Sequence, residues 1–281
     1  MLDRSVIGKS FDLGQRDWTS TDSILYALGV GCGQEDPALD LAFTTENSDQ
    51  IQQRTLPTFA VVLVPRDKPV PIGDYPRQRL LHAEQSLTLH KEIPVAGSLR
   101  ASATVAGMYR RGEDAFVVVQ VELFDIADGT PLASLSRTMF IRGEADPADP
   151  PWESSPWVAG TGEPDFTVEL PTRRDQALLY RLSGDRNPLH SDPAFAARAG
   201  FPSPLLHGLC TFGVAGRALL RHVCGGDSAR FGSIRARFTA PVMPGDTLVA
   251  VAWRRDDGAA FRLRVGDKVV LDRGSFTWRD Q

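Results

Sequence analysis

Apolar and polar positions along the second half of the chain follow two different periods. Phe166, Val168 and Leu170 alternate with polar neighbours, the period-two signature of a half-buried strand. From about Asp175 the spacing turns helical, with Leu178, Leu179 and Leu182 on one side. A loop rich in Gly, Asn and Pro runs from Gly184 to Pro193. Leu209, Phe212, Val214, Ala215, Leu219 and Leu220 then predict a longer helix, from His207 or Gly208 to about His222. Strands are expected at 231–239, 247–255, 260–265 and 269–278, with Asp257-Gly258 and Gly266-Asp267 as tight-turn pairs. Such a sheet with one long helix buries that helix on one sheet face. The first half repeats the pattern, with Asp128-Gly129 as a hairpin turn.

The repetition extends to sequence. Leu25-Tyr26-Ala27-Leu28 matches Leu179-Tyr180-Arg181-Leu182 at an offset of 154, and Thr58-Phe59-Ala60-Val61 faces Thr211-Phe212-Gly213-Val214 at an offset of 153. Pro94-Val95-Ala96-Gly97-Ser98-Leu99 faces the Pro241–Leu248 stretch with small gaps. Three weak matches in one order at nearly constant spacing indicate a tandem pair, and the period is too long for a solenoid. Between the copies, Pro147, Pro150, Pro151, Pro156, Gly160 and Gly162 interrupt any period. The expected division is a domain at 1–143, a linker at 144–163 and a domain at 164–281.

Composition narrows the function classes. The chain has 281 residues, 42% of them hydrophobic, and a formal net charge of −4, so no broad basic field exists for a nucleic-acid or polybasic membrane partner. No apolar run approaches the ~20 residues that span a bilayer. The beginning lacks a secretory pattern and the end lacks a peroxisomal or reticular retention tripeptide. Cys32, Cys210 and Cys224 are an odd, scattered set that suits a reducing compartment and no structural zinc. The expectation is a cytoplasmic protein.

One loop concentrates chemistry. Tyr180-Arg181-Leu182-Ser183-Gly184-Asp185-Arg186-Asn187-Pro188-Leu189-His190 places an acid, an amide and an imidazole within six residues. Gly184 permits a sharp reversal, and Pro188 holds Asn187 extended. Asp185 and His190 can then converge on one point, which suits acid–base work. The same residue types also build ordinary turns, and Asp192-Pro193 reads as a helix N-cap with Pro at N1.

This stretch, followed by five residues and Ala196, resembles the hydratase 2 motif of the MaoC-like, (R)-specific enoyl-CoA hydratases. Leu206-His207-Gly208-Leu209 is similar to that family's His-Gly start of a central helix. Trp18, Leu25–Gly31, Leu56-Pro57-Thr58-Phe59 and His82-Ala83-Glu84-Gln85 resemble its non-catalytic domain. The resemblance implies an α+β fold, a tandem (double) hot-dog of two curved antiparallel sheets, each wrapped on a central helix. It implies a hydro-lyase that adds water reversibly to a trans-2-enoyl-CoA to give a (3R)-hydroxyacyl-CoA. Asp185 and His190 match the catalytic pair, Asn187 the orienting amide, and Gly208 the backbone N–H that receives the thioester oxyanion. The first-half loop Gly29–Glu35 lacks the motif, so that half would accommodate the acyl chain. No metal or cofactor is implied beyond the acyl-CoA substrate, and a homodimer is expected. The alternatives are a dehydratase on an acyl carrier protein or a branched or sterol side-chain acyl-CoA, a hot-dog thioesterase, or a non-catalytic acyl-binding module.

Other residues read more plainly. Gly29, Gly31 and Gly33 follow a helix and lack the third-glycine spacing of a nucleotide loop. His82 and His90 lack a third ligand and read as surface or core residues. His222 closes the long helix, where a cation suits the dipole. Cys210 reads as a small core residue.

Overall fold

A computed structural model describes residues 1–76, 79–154, 156–158 and 160–279. The first half supplies strands β1 (Ser10–Trp18), β2 (Leu80–Leu89), β3 (Gly97–Arg111), β4 (Asp114–Asp125) and β5 (Pro131–Ile141). The second supplies β6 (Phe166–Pro171), β7 (Phe231–Phe238), β8 (Thr247–Arg255), β9 (Gly258–Val265) and β10 (Lys268–Trp278). Among the described residues these ten strands form one sheet, ordered β1-β3-β4-β5-β2-β7-β10-β9-β8-β6. Read inward from each end, the order is β1-β3-β4-β5-β2 and β6-β8-β9-β10-β7, the same connectivity twice. The two sheets are joined edge to edge, because β2 and β7 pair antiparallel from Glu84↔Arg237 to Thr88↔Ser233. That pairing gives both edge strands a hydrogen-bonding partner.

The helices are α1 (Ser20–Gly29), α2 (Leu41–Thr44), α3 (Ala60–Leu63), α4 (Gln176–Tyr180), α5 (Pro193–Arg198) and α6 (Gly208–His222). α1 starts directly after β1 through a capping box. The Thr19 N–H donates to the Asp22 carboxylate at 2.8 Å, and the Asp22 N–H donates to the Thr19 hydroxyl at 3.3 Å. α6 occupies the expected span, and every residue from Cys210 to Leu220 is buried. The sheet covers one face and the first half covers the other. Close approach depends on missing side chains: a Cβ at Gly213 would lie 2.6 Å from Val30, and one at Gly216 would lie 2.4 Å from Thr58. The two tyrosines of the repeated motif, Tyr26 and Tyr180, are fully buried with ring centroids 6.0 Å apart.

The central helices are unequal. Where the second half has α6, the first has a 3-10 turn (Pro57–Phe59) and the four-residue α3. Pro65 drives Val64 out of helical geometry, to ψ 120°. Two local expectations also shift. Leu178 and Leu182 are exposed, and α4 turns Gln176, Ala177 and Tyr180 inward instead. The reason is the end of α1, whose terminal carbonyls need donors: the Gln176 amide donates to the Gly29 carbonyl at 2.6 Å. The turn before β9 is Asp256-Asp257, and Gly258 is already in the strand. A side chain there would strike the Phe276 carbonyl oxygen.

From Arg142 to Asp165 the described residues form neither helix nor strand beyond an isolated bridge at Pro151. The segment is nonetheless pinned. Trp152 stacks on Phe116 at 4.9 Å between centroids, and the Trp157 indole donates to the Gly274 carbonyl at 3.0 Å. No helix is long and apolar enough to cross a membrane, among the described residues.

At the seam, the buried Glu84 carboxylate of β2 accepts from Arg235 and from Arg237 Nε of β7, each at 2.8 Å. Burial opposes its ionisation, but the two guanidinium groups outweigh burial and hold its pKa below the ordinary glutamate value. Glu84→Gln should lower the unfolding free energy by about 2–3 kcal/mol at neutral pH. That is less than a fully buried pair, because both arginines are partly exposed. A folded pKa below the unfolded one gives stability that is full above about 4.5 and fades as pH falls through the depressed value. The difference between wild type and variant in urea melts should therefore shrink towards acid; a constant difference would contradict the ion-pair account.

Candidate active site

The loop from Ser183 to Asp192 is folded by its own side chains. Gly184 takes φ +121°, open to a residue without Cβ, and reverses the chain after a 3-10 turn at Arg181–Ser183. The Asn187 side-chain oxygen accepts the Leu189 N–H at 3.0 Å and caps a second 3-10 turn, Pro188–His190. The Asn187 N–H in turn faces an Asp185 carboxylate oxygen at 3.3 Å. Asn187 thus hydrogen-bonds both to the acid and to the turn that carries the imidazole. Asp192 caps α5, accepting the Ala194 and Phe195 N–H groups at 2.8 and 3.1 Å, with Pro193 at N1.

Asp185, Asn187, His190 and Gly208 all line one cavity of about 810 Å³, within the usual range of roughly 300–1,000 Å³ for small-molecule sites. The four residues singled out from sequence are therefore brought together. Gly208 opens α6, whose first N–H groups have no acceptor within the helix. The Cys210 and Thr211 N–H groups turn back to the His207 carbonyl, and the helix dipole adds positive potential at this end. The Phe238 ring packs on the bare Cα, 3.2 Å from where a Cβ would sit.

Hydrogen bonds fix the tautomer of each imidazole. His190 Nδ1 lies 2.9 Å from the Leu205 carbonyl. A carbonyl only accepts, so Nδ1 carries the proton and the neutral ring keeps a lone pair on Nε2. His207 Nε2 lies 3.1 Å from the Asp185 carbonyl and carries its proton there. The two rings stack at 3.8 Å between centroids, and Tyr180 packs against His207 at 4.9 Å. Burial lowers the pKa of His190, and burial with the neighbouring His190 pulls His207 down to about 4. Burial works against the Asp185 carboxylate, yet Arg66, 3.5 Å away, overrides it and keeps its pKa below the ordinary aspartate value. At neutral pH the loop presents a carboxylate and a neutral imidazole, both proton acceptors.

The opposite wall comes from the first half. His82 of β2 donates from Nε2 to the Glu84 carbonyl at 3.0 Å, packs on Phe238 at 4.9 Å and is held to about pKa 4 by burial. Arg66, Arg137, Val61 and Val64 join it. Sequence reasoning read His82 only as a surface or core residue and did not single out the others, for they lie about fifty to a hundred and twenty positions from the motif and carry no spacing that ties them to it. His207 was readable only as the residue before Gly208. The remaining sequence readings fall elsewhere. His90 is exposed and bonded to Ser134. His222 does close α6, but burial lowers its pKa and it stacks on Phe166 at 4.8 Å, so it acts as an aromatic neighbour rather than a cation. Cys210 is wholly buried, and burial pushes its thiol pKa far up. In the loop Gly29–Glu35, Glu35 pairs with Arg217 at 2.9 Å and Arg221 at 3.3 Å, so this first-half loop holds a structural ion network.

Comparison with known proteins bears on both halves. Residues 17–143 match the family described as MFE-2 hydratase 2 N-terminal domain, and residues 159–272 match the MaoC like domain. The chain is 44% identical to 3-hydroxyacyl-thioester dehydratase Y of Mycobacterium tuberculosis, covering 98% of this chain and 97% of that protein. It is 33% identical to the peroxisomal enoyl-CoA hydratase 2 of Arabidopsis thaliana, covering 89% and 86%. The crystal structure of a MaoC-like dehydratase from Phytophthora capsici superposes with a TM-score of 0.87 at 31% identity, covering 100% and 99% of the two chains.

The tautomers and burial can be read in solution. In imidazole nitrogen NMR, His207 and His82 should titrate near pH 4, and His190 below the ordinary histidine value of 6.5 with its proton on Nδ1. A His190 that charges at or above 6.5, or whose neutral ring carries its proton on Nε2, would contradict this geometry.

Proposed function

The chain belongs to the MaoC-like hydratase 2 family, with its double hot-dog fold, and we propose that it is an (R)-specific enoyl-CoA hydratase, adding water reversibly to trans-2-enoyl-CoA to give (3R)-hydroxyacyl-CoA. One observation carries the reading: two proton acceptors, Asp185 and His190, open on the same cavity as the N-terminus of α6. A water donating one proton to the carboxylate and the other to His190 Nε2 is oriented for attack. Its oxygen bonds to the β-carbon as the double bond shifts towards the thioester. The proton it gives up passes to the pair and returns to the α-carbon, so the pair ends each turnover as it began. Negative charge that gathers on the thioester oxygen meets the Gly208 N–H and the helix dipole. Asn187 holds the acid and the imidazole at their spacing.

The division of labour follows from the unequal helices. α3 stops at Leu63, and Val61 and Val64 line the cavity where a longer helix would stand. The domain at 1–143 accommodates the acyl moiety, the segment 144–163 links, and the domain at 164–281 carries the chemistry. Exposed Arg111 and Arg142 on the cavity's rim suit the phosphates of coenzyme A. The reading includes a cytoplasmic homodimer, checked by sedimentation and by the location of the tagged chain. The relative named as a 3-hydroxyacyl-thioester dehydratase supports a second reading, in which the same site runs in the dehydrating direction on a 3-hydroxyacyl thioester.

Crotonyl-CoA and longer enoyl-CoAs should lose their ultraviolet absorbance, with (3R) product by chiral analysis; release of free CoA thiol would identify a thioesterase instead. Asp185→Asn and His190→Gln should each lower kcat by about 10²–10⁴-fold while remaining folded, and the double variant should fall little further. The rate should be level from pH 6.5 upward through neutrality and fall only on the acid side, as His190 becomes charged below its ordinary pKa. Near-normal turnover in either folded variant would remove the pair from the mechanism.

Gly208 gives a separate test. Gly208→Ala presses its methyl group on Phe238 by a few tenths of an ångström and should keep most activity. Gly208→Val should lose on the order of 10²–10³-fold in kcat/KM with the fold retained by circular dichroism. Equal loss of stability and activity in both variants would reduce Gly208 to a packing role.

A further inference from the structure

Strand β5 turns a row of residues into the first half: Ala133, Leu135, position 137, Met139 and Ile141. Four of these are apolar and buried. The fifth is Arg137, paired across the sheet with Gln85 of β2 and Val119 of β4. It lines the cavity beside Leu135 and Met139. Its Nε is buried without a hydrogen-bond partner, and among the described residues no carboxylate pairs with it. The charge it feels most is a like one, from Arg66, and burial pulls its pKa below the ordinary arginine value. Gln85, opposite, spends its amide on the Ser86 carbonyl at 2.7 Å.

A guanidinium does not shed its proton in a protein, so it remains a cation. Removing such a charge from water without a partner is strongly unfavourable. The other guanidinium groups here are spoken for: Arg66 faces Asp185, and Arg237 faces Glu84. The free site thus carries a half-buried positive charge, its Nε buried and unpartnered, with no carboxylate opposite it among the described residues. A methyl-terminated acyl chain would cover that charge with hydrocarbon and make matters worse. The phosphates of a coenzyme need solvent and have the exposed Arg111 and Arg142 at the rim. A planar carboxylate matches the guanidinium fork in both charge and geometry.

We propose that Arg137 is a specificity-determining residue: it receives a carboxylate carried on the acyl group itself, so that the preferred substrate is the mono-thioester of an unsaturated dicarboxylic acid. This rests on the hydratase reading above and names its substrate class. Chain length sets whether the second carboxylate reaches Arg137, and one length in a series fits best.

The test compares trans-2-enoyl-CoAs of four to eight carbons with their terminally carboxylated counterparts. In the wild type, kcat/KM should favour the carboxylated member by about 10²-fold at the best length. Arg137→Met should bring that ratio near one, and Arg137→Lys should keep part of it. Ratios within one protein are independent of how much of a variant folds. A wild type that prefers the methyl-terminated substrate at every length overturns the proposal, as does a ratio that Arg137→Met leaves intact. The series repeated with pantetheine thioesters, which lack the nucleotide, should show the same dependence on Arg137. A dependence seen only with the full coenzyme would assign Arg137 to phosphates and overturn the proposal. Failure of the hydratase reading is separate, since the wild type would then hydrate none of the thioesters. Binding of saturated mono- and dicarboxylic thioesters, measured by calorimetry on wild type and Arg137→Met, would still decide whether Arg137 reads a carboxylate.

Discussion

Burial of α6 on every side is the constraint from which the rest of the molecule follows. A helix covered by a sheet on one face is ordinary; one covered on both needs a second layer as close as the first. Gly213 and Gly216 provide that closeness, since Val30 and Thr58 occupy the space where Cβ atoms would stand. Arg217 lies within this buried helix and pairs through its two terminal nitrogens with Glu35, reached from the other half. The first half is therefore part of the core of the second. The fixed helix then presents its N-terminus at one place, and the loop carrying Asp185 and His190 is docked around it through His207.

Duplication made that arrangement available, and divergence made it useful. Two copies of one topology meet edge to edge at β2 and β7 and leave neither edge open. Within this frame the copies part company at their central helices. Pro65 stops α3 after a single turn, while α6 runs for fifteen residues. The volume vacated in the first half becomes the far wall of the cavity. The loop that would hold a second dyad is instead filled by the Glu35 network.

Electrostatics in the cavity rests on hydrogen bonds to backbone carbonyls as much as on charge. The carbonyls of Leu205 and Asp185 decide which nitrogen of His190 and His207 carries a proton. Burial keeps both rings neutral, and Arg66 keeps the carboxylate ionised. Positive charge enters the site from the first half, through Arg66 and Arg137, and the proton acceptors enter from the second. A reacting group between the two walls meets both.

Much of this was legible in the residues alone. Period-two alternation located the strands of the second half, and the run from Gly208 to His222 located α6, because apolar spacing is a local property of the chain. The motif from Tyr180 to His190 singled out Asp185 and His190, which do line one cavity, because both sit on one short loop shaped by Gly184 and Pro188. Repeated short matches disclosed the duplication. What sequence did not contain was which surfaces meet. Leu178 and Leu182 look inward by spacing yet face solvent, because the end of α1 needed a polar donor and took Gln176. His82, Arg66 and Arg137 reach the site across a sheet seam and an interface between halves, and no local period records a contact over such a separation. The roles of His190 and His207 depended on carbonyls placed by folding, for a tautomer is set by the partner a ring nitrogen finds, and only the tertiary structure supplies that partner.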